Sequence, residues 1–218
     1  MDRPKVAIVS VVYHEAEWQK TRECVHACQV DTYFVERNPP GIGSLSEALN
    51  RGFRFMYEKV NPEYVWFVTN VTFSHKAFTE LIQCTEIFPQ AAAIHPCFES
   101  DHAHLRQRPD QVVSSVQFVE FAAPIVRADV FAKFPLDEKM PYVGMDMDWG
   151  FRVRQAGHAI GVYHGEKLGH AYNRHMKQEP ITKKRARARA NTVPATRRRL
   201  IQLYGKDYAT KLGYKGPL

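Results

Sequence analysis

Two aspartates stand close together in an apolar setting, and their type and spacing fit acid–base chemistry. Asp146 and Asp148 follow a glycine in GMDMDWGFRVRQAG, residues 144–157. An unpaired carboxylate is costly to bury, so this placement calls for a function or a partner. A carboxylate that accepts a proton from a hydroxyl group speeds its attack by roughly 10²–10⁴-fold. In a helix, side chains two residues apart point about 200° apart, so the two aspartates are not expected to act as a simple pair. Arg152, four residues after Asp148, is its expected ion-pair partner.

The rest of the chain predicts the elements that must position these carboxylates. Apolar runs alternate with helical segments, which predicts an α/β domain with a mostly parallel, Rossmann-like sheet. Ser44 and Ser74 stand at the N-caps of two helices. The predicted strands are 5–14, 31–38, 63–73, 91–98 and 159–165. The predicted helices are 15–29, 45–60, 74–88 and 146–157, and 114–134 is predicted as a strand followed by a short helix. Residues 1–175 are expected to form one domain, and residues 176–218 a basic, partly helical extension.

Polar side chains follow three of the predicted strands, at the edge where open parallel sheets bind ligands. Taken singly, each is explained as well by a chain that turns toward solvent. Their coincidence at one edge favours a site. The residues are Tyr13, His14 and Glu15 after the first strand, Glu36, Arg37 and Asn38 after the second, and Thr69, Asn70 and Thr72 at the end of the third.

The positive charge of the chain is concentrated in one segment. The 218 residues include 30 Lys and Arg and 23 Asp and Glu, which gives a formal net charge of +7. Residues 183–199 hold eight of the basic residues and no acidic one, so elsewhere 22 basic residues face 23 acidic ones. Such a run fits a solvated tail or a phosphate-binding arm, because each neutralised phosphate releases counterions. Composition alone leaves both open.

Composition also limits where the protein is expected to work. No apolar run approaches the roughly 20 residues needed to cross a bilayer, and the first residues lack the apolar stretch of a signal peptide. The four cysteines, Cys24, Cys28, Cys84 and Cys97, show no CxxC spacing and are expected to be structural thiols. We therefore expect a cytoplasmic protein, in the host cytoplasm if it is viral.

The order of the motifs resembles that of the family 2 glycosyltransferases, which have the GT-A fold. The resemblance covers roughly residues 5–175. It is strongest at SLSEALNRGF, residues 44–53, which is similar to the family's Asn-x-Gly helix. Residues 144–157 are similar to its Gly-Glu-Asp-x-Asp-Leu-x-x-Arg-x-x-x-x-Gly pattern. The resemblance implies a nucleotide-sugar donor, by family preference linked to UDP, and transfer to an acceptor hydroxyl with inversion.

The resemblance also implies roles for the matching residues. Asp146 falls at the position of the base that takes a proton from the acceptor hydroxyl. Asp148 would orient the acceptor or keep the surroundings of Asp146 polar. For the donor, the implied set is Val11, Tyr13 and Glu36 around the base and ribose, Arg37 against the base or phosphate, and Asn50 and Asn70 close to the donor.

The chain departs from the family at the end of the third strand, where an Asp-x-Asp or Asn-Asn-Asp cluster holds Mn²⁺ or Mg²⁺. Residues 69–72 are Thr-Asn-Val-Thr, without a carboxylate. Amide and hydroxyl oxygens alone bind hard divalent cations weakly. The metal is therefore weakly held, held by other groups, or replaced by cations such as Arg37 and the basic segment. The candidate ligands are Asn70, Thr72, His164 and His170.

The basic segment bears on the acceptor. Eight residues form the candidate acceptor or nucleic-acid surface: Lys183, Lys184, Arg185, Arg187, Arg189, Arg197, Arg198 and Arg199. Their spread around a helix favours an extended polyanion, which motivates a DNA acceptor. Bacteriophage enzymes of this kind attach sugars to hydroxymethylated bases, whose added group projects into the major groove.

Two alternatives stand beside the DNA hypothesis. A glycosyltransferase that acts on a surface polysaccharide or lipid-linked glycan would use the basic segment on anionic headgroups. A non-catalytic nucleotide- or nucleic-acid-binding module would explain the lost acids of the third strand. Asp146 and Asp148 argue against that module, since binding alone has little use for them.

Overall fold

The computed structural model describes residues 5–13, 15–30, 32–37, 44–98, 105–170 and 180–213, with the backbone alone for 170 and 180–189. The strands in these ranges are β1 (Val6–Val12), β2 (Tyr33–Arg37), β3 (Tyr64–Phe67), β4 (Val71–Thr72), β5 (Ala91–Phe98), β6 (Val113–Ser115), β7 (Ile125–Arg127) and β8 (Ala159–His170). The helices are α1 (Glu15–Ala27), α2 (Leu45–Val60), α3 (His75–Ile87), α4 (Ala128–Lys133), α5 (Met145–Gln155), α6 (Pro180–Tyr204) and α7 (Tyr208–Leu212).

These strands form one sheet in the order β2-β1-β3-β7-β5-β8-β4, with β6 also paired to β8. β1 pairs in parallel with β2 and β3, and β5 pairs in parallel with β8. β7 runs antiparallel between β3 and β5, and β4 and β6 run antiparallel to β8. Five of these strands therefore share one direction, and the predicted α/β fold with a mostly parallel central sheet is confirmed.

The predicted strand 63–73 is wrong as a single element. The apolar residues 64–68 are followed by the polar Thr69 and Asn70, and the chain turns at Asn70, whose φ is +52°. This left-handed conformation ends the ladder of β3 with β1, and the chain resumes as β4 against β8. The segment 114–134 likewise contains two short strands, β6 and β7, before α4.

Close packing of α2 on the sheet explains its glycine. A Cβ on Gly52 would lie 2.6 Å from Val9 Cγ1 and 3.0 Å from Phe34 Cδ1, so only hydrogen fits there. The start of the helix is set by Ser44, whose side chain accepts a hydrogen bond from the Glu47 backbone at 3.2 Å. Ser74 caps α3 in the same way, and both predicted caps are confirmed.

The cysteines behave as the sequence predicts. All four are free thiols, and three of them are buried. Burial raises the pKa of both Cys28 and Cys84 to about 11, which keeps these thiols protonated and unreactive at neutral pH. They therefore serve as small packing residues.

The end of the chain packs against α5. Leu200, on α6, and Leu212, on α7, are fully buried, so these helices share the core of the domain. A Cβ on Gly144 would lie 2.9 Å from Thr196 Cγ2 and 3.3 Å from Leu200 Cδ1, which shows how closely α6 approaches the start of α5. The boundary at residue 175 stays a prediction. In the described ranges, no helix is both long and apolar enough to cross a membrane.

Candidate active site

The edge formed by the carboxyl ends of β1, β2 and β3 is bordered by the chain that enters α5. α2 follows β2, and its first backbone N–H groups, of Leu45 and Ser46, donate to Pro141 O at 2.8 and 3.4 Å. Pro141 lies four residues before the first residue of α5. Parallel strands present their carboxyl ends at the same edge, so the GMDMD stretch begins beside the polar residues that follow the strands.

β3 leads into a buried polar turn at this edge. The backbone N–H of Thr69 donates to Ala122 O at 2.8 Å, and Asn70 follows in the left-handed conformation. Thr69 is 6% exposed, and its Oγ1 has no hydrogen-bond partner among the described residues. A buried hydroxyl without a partner costs free energy, and left-handed non-glycine residues are concentrated at functional turns. The turn therefore offers a hydroxyl to a ligand.

Two ion pairs hold the polar side chains at the ends of β1 and β2. Val11 is buried and pairs in register with Glu36, whose Oε1 accepts a hydrogen bond from Arg51 Nη2 at 2.8 Å. Arg37 donates from Nε and Nη2 to the carboxylate of Glu15, both at 3.1 Å. This hydrogen bonding raises the pKa of the Arg37 guanidinium and neutralises its charge locally. Arg51 was missed from the sequence, because nothing in the local pattern links α2 to β2.

Two further donor-binding candidates are buried. Tyr13, directly after β1, is 7% exposed. Asn50 is 2% exposed, and its Nδ2 donates to Leu136 O at 2.9 Å and to Glu138 Oε1 at 3.0 Å. Its Oδ1 accepts from the backbone N–H of Leu136 at 3.0 Å. The Asn50 amide thus ties α2 to the segment before α5, and its contact with a donor stays a prediction.

Asp146 lies in the first turn of α5. The N-cap is Gly144, whose φ of +82° favours glycine. Asp146 is partly buried, and its Oδ1 accepts a hydrogen bond from the backbone N–H of Met147 at 3.0 Å. The positive end of a helix dipole stabilises a negative charge at this position. A carboxylate in this position can act as a proton acceptor.

Asp148 is placed differently, at 1% exposure and with both carboxylate oxygens engaged. Its Oδ2 accepts from Arg152 Nε at 2.8 Å, so the predicted ion pair is confirmed. Its Oδ1 accepts from the Tyr204 hydroxyl at 2.5 Å, and burial together with this bond raises the pKa of Tyr204. Tyr204 was missed, because it follows Asp148 by 56 residues. A catalytic role for Asp148 stays a prediction.

The four metal candidates are only partly brought together. Pairing of β4 with β8 sets Val71 opposite His170 and Thr72 opposite Gly169, one step from Asn70. The side chain of His170 lies outside the described residues. In the part of the chain that the structure describes, no three His, Cys, Asp or Glu side chains come together. Asn70 and Thr72 supply only neutral oxygens, which do not fit a tightly held Mn²⁺ or Mg²⁺ ion.

His164 is held by hydrogen bonds through both ring nitrogens. Its Nδ1 accepts from the backbone N–H of Arg108 at 3.2 Å, so Nε2 carries the proton and donates to Ser114 Oγ at 2.8 Å. A metal could bind only by displacing one of these partners. In this tautomer the imidazole also cannot take a proton from Ser114, so the pair is not an activated nucleophile. The role of His164 as a metal ligand stays a prediction.

The buried imidazole predicts a pH dependence of stability. Burial and Arg108 lower the pKa of His164 in the folded protein, whereas an unfolded chain has about 6.5. The unfolded state then binds more protons than the folded state. The stability that His164 contributes is therefore present above about pH 6.5 and is lost as the pH falls below that value. Urea unfolding at pH 7.5 and 5.5 should show this loss, and His164→Gln should reduce it. An equal loss in the variant would contradict the assignment.

The basic residues separate into two groups. Arg197 and Arg198 are exposed, whereas Arg199 is partly buried and donates from Nε to Asp137 Oδ2 at 2.8 Å. The backbone of 183–189 belongs to α6. The side chains of Lys183, Lys184, Arg185, Arg187 and Arg189 lie outside the described residues, as do the edge candidates His14 and Asn38.

Comparison with known proteins supports the fold. No family model matches the chain, and no curated protein matches it in sequence. Among solved structures it is similar to A197 from STIV, with 6% identity and a TM-score of 0.51 over 72% of this chain and 81% of that one. It is also similar to residues 1–349 of TarS, a S. aureus glycosyltransferase, with 9% identity and a TM-score of 0.50 over 94% of this chain and 74% of that one. At these identities the similarity shows the fold alone, a Rossmann-like α/β sheet of the GT-A kind.

Proposed function

We propose that this protein is a glycosyltransferase that moves a sugar from a UDP-sugar donor to an acceptor hydroxyl, with inversion of the configuration at the anomeric carbon. The observation that carries the proposal is the partly buried carboxylate of Asp146 in the first turn of α5, whose entry loop borders the edge formed by β1, β2 and β3. The buried hydroxyl of Thr69, which has no hydrogen-bond partner among the described residues, lies two residues after β3. The similarity of the fold to TarS agrees with this assignment.

The chemistry asked of Asp146 is a single proton transfer. The carboxylate accepts the proton of the acceptor hydroxyl while the hydroxyl oxygen forms a bond to the anomeric carbon. The bond from that carbon to the diphosphate breaks, and its electron pair leaves with the nucleotide diphosphate. Attack from the face opposite the leaving group inverts the configuration.

The donor is proposed to lie along the carboxyl ends of β1 and β2. Val11 and Tyr13 are buried core residues that are proposed to pack beneath the donor, and Glu36 supplies a carboxylate that can accept hydrogen bonds from ribose hydroxyls. Arg51 holds one oxygen of Glu36 and thereby orients the other. The hydroxyl of Thr69 is proposed to donate to the diphosphate, which would satisfy its missing hydrogen bond.

The acceptor is proposed to be DNA that carries hydroxymethylated bases. Arg197 and Arg198 are exposed on α6, and the same helix contacts the start of α5 through Thr196. A basic helix that leads to the candidate base would bring a phosphate backbone close to the reacting hydroxyl. Electrostatic contacts of this kind supply affinity without sequence preference.

We expect the protein to bind duplex DNA and to transfer a sugar from a UDP-sugar to hydroxymethylated DNA only. Arg197→Gln/Arg198→Gln should weaken DNA binding and lower the slope of log K against log salt by about 2, since each lost phosphate contact removes roughly 0.9. Binding is measured by fluorescence anisotropy across a salt series, and transfer by the mass gain of the DNA.

The matched control is Lys20→Gln/Arg22→Gln, which removes two exposed charges from α1. This variant should keep the salt slope of the unmodified protein. Equal losses in the two double variants would mean that any basic surface suffices. Sugar transfer to a glycan without transfer to DNA would keep the glycosyltransferase assignment and overturn the acceptor.

A further inference from the structure

We propose that Tyr204 is a positioning residue that couples the docking of the basic helix α6 to the placement of Asp146. The coupling runs through Asp148, whose Oδ1 accepts a hydrogen bond from the Tyr204 hydroxyl. The inference rests on the proposed function of Asp146 as the base. In this proposal Asp148 and α6 together position Asp146, a role that neither the fold nor the acid–base chemistry requires.

The first step of the argument is the position of Asp148 within α5. Its backbone N–H donates to Gly144 O at 2.9 Å and so closes the helical turn that contains Asp146. Its Oδ2 accepts a hydrogen bond from Arg152, which also donates to Pro135 O at 2.7 Å. Asp148 thus binds the first turn of α5 through its backbone and α6 through its carboxylate.

The second step is the contact surface around that bond. The Tyr204 ring packs edge-on against Phe151, one turn further along α5, at 5.0 Å between centroids. Earlier on α6, Thr196 and Leu200 approach Gly144 so closely that a Cβ there would meet Thr196 Cγ2 at 2.9 Å. α6 therefore contacts α5 on both sides of the turn that presents Asp146.

The third step is the charge carried by the same helix. Arg199 is bound to Asp137 at 2.8 Å and helps to dock α6, while Arg197 and Arg198 remain exposed. A polyanionic acceptor bound by these two arginines would stabilise α6 in place. The acceptor would then itself favour the arrangement in which the base is correctly placed.

The test removes one oxygen atom. Tyr204→Phe keeps the ring against Phe151 but removes the hydrogen-bond donor to Asp148 Oδ1. Losing a hydrogen bond to a charged group should raise the equilibrium constant for local opening of the contact between α5 and α6 roughly ten- to hundredfold. Amide hydrogen exchange is followed at Asp148 and across 196–204, with UDP and DNA absent. We expect exchange to become roughly ten- to hundredfold faster in both places. The control Tyr208→Phe removes the hydroxyl of a buried tyrosine from α7 and should leave both rates unchanged.

Faster exchange in α6 without a change at the Asp148 amide, or no change in either, would overturn the coupling. This readout does not depend on transfer, so a protein inactive on every acceptor would overturn the proposed function alone. With an active protein, sites are counted by UDP titration. Tyr204→Phe should lower kcat per site about tenfold and weaken DNA binding, because the acceptor and the docked α6 favour the same arrangement, while donor KM stays within about twofold. A purely structural role would instead lower the number of sites and leave kcat per site unchanged.

Discussion

Asp146→Asn should lower sugar transfer by roughly 10²–10⁴-fold while the protein stays folded and binds UDP as before. The amide keeps the size and shape of the carboxylate but cannot accept the acceptor proton. Asp146 is partly buried in the first turn of α5, and the donor is proposed to lie along β1 and β2, so donor binding should not depend on it. Single-turnover transfer and UDP binding are measured on the same preparation.

Asp129→Asn is the matched control for this prediction. Asp129 also lies in the first turn of a helix, α4, where it is exposed and paired with Arg127. Its replacement should leave transfer within about twofold of the unmodified protein. If Asp146→Asn instead loses UDP binding and transfer equally, Asp146 holds a metal or the fold and the assignment as base is wrong.

Local signals in the sequence predicted the parts of the structure that depend on neighbouring residues. Ser44 and Ser74 cap their helices, and Arg152 binds Asp148 at the spacing of one helical turn. The strand 63–73 shows the limit of such reasoning. Val71 and Phe73 resume the apolar pattern after the polar Thr69 and Asn70, so the segment reads as one strand. The tolerance of asparagine for the left-handed region is the local sign of the turn that separates β3 from β4.

Contacts between distant residues could not be predicted in the same way. The hydroxyl of Tyr204 reaches Asp148 across 56 residues, and Arg51 reaches Glu36 across 15. Neither spacing follows a helical or strand period, so the pairs exist only because the sheet and the end of the chain fold together. The candidate site could thus be placed at an edge from sequence, whereas the partners of its charged groups required the structure.

Asp148→Ala should lower the free energy of unfolding by about 3–5 kcal/mol, because it leaves a partly buried guanidinium and a phenol without their partner. Arg152 is 28% exposed at its side chain and Asp148 is 1% exposed, so water replaces the lost contact poorly. A small domain has about 5–15 kcal/mol in total, so this variant should approach the limit of folding. Urea unfolding followed by tryptophan fluorescence measures the change.

The triple variant Asp148→Leu/Arg152→Met/Tyr204→Phe separates stability from activity. Removing all three polar groups leaves no charge of this cluster buried, so most of the lost stability should return, as with other buried ion pairs replaced by apolar side chains. The exposed Pro135 loses one hydrogen bond that water can replace. If Asp148→Ala stays within about 1 kcal/mol of the unmodified protein yet transfers no sugar, Asp148 acts in the reaction and its structural assignment is wrong. If the triple variant regains stability but not the full rate, the polar bonds position the base as well as holding the fold.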